Sequence, residues 1–111
     1  MQIRINWNEP VIPKVQVLQM QLVDLDDFYV TASDFDKTNI FFMLLTSFHH
    51  YLDQGERETA AHLGYLMACY LFRTLTPPGS CELAMHYISQ AISLHPLTIY
   101  KEWADKIQQG N

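Results

Sequence analysis

Apolar residues recur along most of this chain at helical spacing, with short polar or Gly/Pro interruptions. The beginning differs. In residues 2–7, QIRINW, Ile3, Ile5 and Trp7 alternate with polar residues, a period-two pattern that predicts a short extended or strand-like segment ended by Pro10 and Pro13. Residues 14–30, KVQVLQMQLVDLDDFYV, support two readings. As a helix, Val15, Leu18, Leu22 and Leu25 form one stripe, and Pro13 suits its first turn. As a strand, Leu18, Met20 and Leu22 alternate with glutamines, but Val15 and Val17 need a bulge. The pattern leans to the helix.

Residues 31–38, TASDFDKT, carry several cap formers and predict a loop leading into a helix. NIFFMLLTSFHHYLDQ then predicts a helix over about residues 38–54, closed by Gly55. A second runs over about residues 56–75 and is apolar nearly all round from Leu63 to Leu75. Such a helix is either central in its fold or covered by a partner. TPPGS is a turn with Ser80 as a candidate cap, and CELAMHYISQAISL forms a third helix ended by Pro96. Thr98 is a candidate cap for a last helix with Tyr100, Trp103 and Ile107 on one face, stopped by Gly110. Short turns between these helices predict antiparallel neighbours. The expectation is one domain over residues 1–111, mainly α: residues 1–37 form the N-terminal segment and the uncertain helix, and residues 38–109 a bundle of helical hairpins.

Composition narrows the functional classes. At 111 residues, 49% hydrophobic and 17% charged, the chain is in the range of a folded domain with one core. Its net charge of −5, with seven Lys and Arg forming no cluster, disfavours nucleic acid as a partner. An acidic surface suits a basic protein partner instead. Two cysteines, Cys69 and Cys81, are few for a secreted disulfide scaffold and point to a reducing, cytoplasmic setting. The start has no basic-then-apolar leader, and no apolar run is long enough to predict a membrane span.

GSCELAMHYISQAISLHP, residues 79–96, resembles the second helix of a tetratricopeptide repeat through Gly79, Ala84, Ile88, Ala91 and Pro96. The preceding helix departs from that family, with Ala68, Leu71, Phe72 and Leu75 at the matching positions. A partial echo through Tyr51, Gly55 and Ala60 lies 24 residues upstream, short of the family's period of about 34. GERETAAH and GSCELAMH also share Gly, Glu, Ala and His, which helix-start grammar explains. The resemblance covers about residues 41–107 and implies a degenerate helical-repeat domain that holds a peptide or partner helix. It implies no particular binding residues.

Candidate chemistry is sparse. Hairpin arithmetic sets His49 level with His62, and His86 level with Cys69. Each pair falls short of a zinc shell, and the two levels lie about 10 Å apart along the second helix, so they do not share one ion. Asp24, Asp26, Asp27, Asp34 and Asp36 lack the Gly and closing Glu of a calcium loop, and read as a solvated loop or a partner-facing acidic patch. No feature supplies a cation, orienting acid or oxyanion hole for a cysteine nucleophile, and no glycine-rich phosphate loop is present. The stripes Phe41, Phe42, Leu45, Phe48 and Tyr65, Met67, Tyr70, Phe72 read as mostly core.

These observations predict a non-catalytic protein-interaction module without a cofactor: an adaptor, small chaperone or inhibitor. The expected surface is a groove bearing Tyr65, Phe72, Tyr87, Tyr100 and Trp103, which takes an amphipathic helix or peptide. Asp24, Asp26 and Asp27 are expected to steer a basic partner. Two alternatives come from other classes: a His/Cys metal-dependent sensor or enzyme, and a structural homodimer paired through QIRINW.

Overall fold

In the computed structural model, which describes residues 1–110, the elements are six helices and one π-helical turn, with no strand among the described residues. Residues 1–13 are neither helix nor strand and form a strap across the bundle. Ile3 and Ile12 of the strap are buried, and Ile5 and Val11 pack against the same core. Polar contacts fasten its end: Ile12 N–H donates to Ser47 Oγ at 2.9 Å, and the Tyr51 hydroxyl donates to the Ile12 carbonyl at 2.5 Å.

The stretch that supports both helix and strand is two helices, α1 (Lys14–Gln19) and α2 (Leu22–Thr31). Met20 and Gln21 between them are extended, so the helical register does not run through. The predicted stripe therefore fails at its start: Val15 and Leu18 are exposed, and Val17 and Met20 are buried in their place. Asp24 begins the second helix by accepting Gln21 N–H at 2.8 Å, as a residue of a capping box does.

α3 (Asp34–Asp53) starts four residues earlier than its apolar pattern suggests. Ser33 Oγ accepts Asp36 N–H at 3.1 Å, and Asp34 and Asp36 sit at the positive end of the helix dipole. After Gly55, with φ of +73°, comes α4 (Arg57–Cys69). Its C-terminal end widens into the π-helical turn Tyr70–Leu75, which closes at Thr76 with a left-handed φ of 47°. α5 (Ser80–Leu94) and α6 (Thr98–Gln109) complete the chain. Neither expected cap is one: Ser80 and Thr98 are the first helical residues, and the cap positions are Gly79 and Leu97.

α4 explains its own composition. Ala60, Leu63, Leu66 and Met67 belong to a cluster with the strap, α1, α2 and α3. Ala61 and Ala68, with Leu71 and Phe72 of the π turn, belong to a second cluster with α5 and α6. A helix wedged between two cores is apolar on both sides. The choice between a central helix and one lying under a partner is thereby decided for the central helix.

Candidate interaction surface

Packing removes part of the expected groove. Phe72 and Tyr100 are 6% and 2% exposed, so they are core residues and not surface. The π turn carries Phe72 into the second cluster, and Tyr100 packs at 5.1 Å from Tyr65. Tyr65, Tyr87 and Trp103 are half-buried. Burial pushes the Tyr65 hydroxyl up to about 12. Tyr87 lies edge-on to Phe41 and Phe48, at 6.2 and 6.1 Å. The Trp103 ring is covered by Lys106 Nζ at 4.5 Å and approached by Arg73 at 5.8 Å. These rings knit helices together, and Tyr65 also lines a depression with Met20, Leu22, Val23 and His62.

The acidic residues divide in the same way. Asp24 is buried, holding Gln21 N–H and lying 3.2 Å from the Met1 amino group. Asp26 pairs with Arg73 at 2.7 Å, which ties α2 to the π turn. Asp27 is exposed beside Met1, Gln2 and Ile3. Asp34 is fully exposed next to Phe35, with Lys37 Nζ at 3.6 Å.

The histidines and cysteines sit in different surroundings. His62 donates through Nε2 to the Met20 carbonyl at 2.7 Å, which satisfies the break between α1 and α2. Burial lowers its pKa. His49 and His86 are exposed, lying edge-on to Phe48 and Tyr87 respectively. Cys69 is buried, and burial raises its thiol to about 12. Among the described residues, no three His, Cys, Asp or Glu side chains gather closely enough to hold a metal ion.

An apolar surface does exist elsewhere. Phe35 and Trp7 stack with ring centroids 6.1 Å apart, and both point outward at 69% and 66% exposure. Phe42, two turns along α3 from Phe35, is 54% exposed. Trp7 and Phe42 flank a cleft of about 120 Å³ lined also by Ile5, Pro10, Asn39 and Met43. The surface arises where the strap crosses α3. Pro10 and the Ile12–Ser47–Tyr51 contacts hold the strap's end, while the α3 register turns Phe35 and Phe42 away from the core. Phe42 thus departs from the expectation that its stripe is core. The available signal was Phe35, a large aromatic set between two aspartates at a helix start.

No family model, curated protein or solved structure matches the chain. The functional reading therefore rests on this geometry.

Proposed function

We propose that this chain is a non-catalytic protein-interaction module of the adaptor, small-chaperone or inhibitor kind, and that it binds its partner at the Trp7–Phe35–Phe42 surface. One observation carries the reading: exposed Trp7 and Phe42 flank an apolar cleft, and exposed Phe35 stacks on Trp7 beside it. Aromatics dominate the energetics of protein interfaces, and contiguous exposed apolar surface on a monomer commonly marks one. The remainder of the chain serves as a rigid support. Helices α3 to α6 pack each on the next, which accords with a degenerate stack of antiparallel, tetratricopeptide-like hairpins. The two free cysteines suit a reducing, cytoplasmic setting.

The test is capture of the native partner by tagged wild-type protein, by the double variant Trp7→Ala/Phe42→Ser, and by a control changed at exposed Ile99. The reading expects one stoichiometric partner, kept by the control and lost by the double variant with its helical content intact. A partner retained by the double variant overturns the surface assignment.

A further inference from the structure

The strap differs from every other segment in how its backbone is satisfied. Among the described residues, no backbone–backbone hydrogen bond involves residues 1–12. From Gln2 to Trp7 no side chain bonds to the main chain either; the side-chain contacts begin at Asn8 and Glu9, whose N–H groups donate to Asn6 Oδ1. Ile3 is buried and Ile5 half-buried, while Gln2, Arg4, Asn6 and Trp7 are exposed. Apolar residues anchor one side of this segment, and its peptide groups from Gln2 to Trp7 have no protein partner among the described residues. Unpaired main-chain donors and acceptors beside an apolar cleft are what an added strand uses.

We infer that the partner segment is an extended peptide with basic flanks, which pairs its backbone with residues 3–7 and seats one apolar side chain in the Trp7–Phe42 cleft. The inference rests on the interaction reading above and specifies its ligand. An amphipathic helix fits less well, because a helix has already spent its own peptide groups and has none to offer the strap. The cleft agrees with an extended occupant. Asn39 lines it, and Asn39 Nδ2 is closed off from solvent without an acceptor. Rotation of the Asn39 side chain into the cleft brings that amide to a peptide carbonyl and removes the cost of an unmade hydrogen bond.

Charge selects the flanks. Asp27 stands at one end of the strap, Glu9 at the other, and Asp34 and Asp36 bracket Phe35. Of the cations nearby, the Met1 amino group is engaged with Asp24 at 3.2 Å, and Lys37 with Asp34 at 3.6 Å and with the Tyr29 ring at 4.4 Å, which leaves exposed Arg4. Lysine or arginine on the partner meets this excess of carboxylate. A second copy of the chain would bring the same acidic rim against itself, so the observations favour a different chain.

The probe is an acetylated and amidated pentapeptide of alternating lysine and valine, added at saturating concentration to the full chain. Amide hydrogen exchange is read residue by residue by NMR. Exchange at strap amides between Ile3 and Trp7 should slow by at least about tenfold. The same peptide with N-methylated backbone nitrogens, and one with glutamate for lysine, should leave it unchanged. No slowing with the lysine peptide overturns the inference, as does equal slowing with the N-methylated one. Slowing that appears without peptide, on raising the protein concentration, overturns it in favour of self-pairing. If the native partner is lost with Trp7→Ala/Phe42→Ser while its binding leaves the strap amides unprotected, the interaction surface stands and the strand pairing falls.

Discussion

Gly64 marks a close approach of α4 and α5, and replacing it tests the packing on which the whole support depends. A methyl group built there stands 3.1 Å from the Tyr87 carbonyl oxygen and 3.5 Å from both Ala91 Cβ and Phe48 Cε1. Gly64→Ala therefore sets two effects against each other. Helix propensity favours alanine by about 0.8–1 kcal/mol. The contact with Tyr87 opposes it, because the oxygen belongs to a helix backbone and cannot swing aside like the end of a flexible side chain. Relief requires α5 to move away by a few tenths of an ångström, which loosens Ala84, Ile88 and Ala91 together. Overpacking of this kind costs about 1–3 kcal/mol. The balance is a net loss of about 1 kcal/mol for alanine. For Gly64→Val the β-branched side chain forfeits the propensity gain and deepens the clash, so the loss reaches about 3 kcal/mol. Urea denaturation followed by helical circular dichroism measures both. In a chain of this size the alanine loss lowers Tm by about 4 °C. A Gly64→Ala protein more stable than wild type by the full propensity value would refute the close approach.

Three further outcomes follow from other parts of the structure. Thr76 is β-branched in the left-handed region, so Thr76→Gly should raise the urea midpoint by an amount worth about 1 kcal/mol, and a lowered midpoint would deny that conformation. His62 is held below its ordinary 6.5 by burial, against the opposing bond to the Met20 carbonyl, so the neutral ring is favoured in the fold. Its contribution is present above about pH 6.5 and is lost as pH falls through the lower folded value; Tm of His62→Gln should therefore decline less between pH 7.5 and 5.5 than that of wild type, and parallel declines would contradict this. Burial raises the Cys69 thiol to about 12, whereas Cys81 is only half-buried. Iodoacetamide at pH 8 should label Cys81 in the native protein and reach Cys69 only in denaturant, as peptide mass mapping would report.

The helices from α3 onward were legible because their signals are local. An apolar face and a terminal Gly or Pro mark each segment, as at Gly55, Pro77, Pro96 and Gly110, and Ser33 caps the first of them. The break at Met20–Gln21 was not legible, since nothing there is Gly or Pro. It depends on His62, 42 residues away, accepting the interruption by donating to the Met20 carbonyl. The candidate surface was harder to read for the same reason. Tyr65, Tyr87, Tyr100 and Trp103 are amphipathic rings that a sequence cannot divide between core and rim, and the fold uses them to join helices. Trp7, Phe35 and Phe42 come from separate places in the chain. Their adjacency depends on how the strap crosses α3, which is set by burial of Ile3 and Ile12 and by the polar contacts at Ser47 and Tyr51.

The central claim is that a partner covers the surface around Trp7. The direct measurement is the emission of Trp7 in a Trp103→Phe protein, titrated with the partner captured from native lysate. Trp7 is exposed in the free chain, so its emission starts red-shifted. The account predicts a saturable blue shift and loss of iodide quenching at one partner per chain. A tight complex in which Trp7 stays red-shifted and fully quenchable would contradict it.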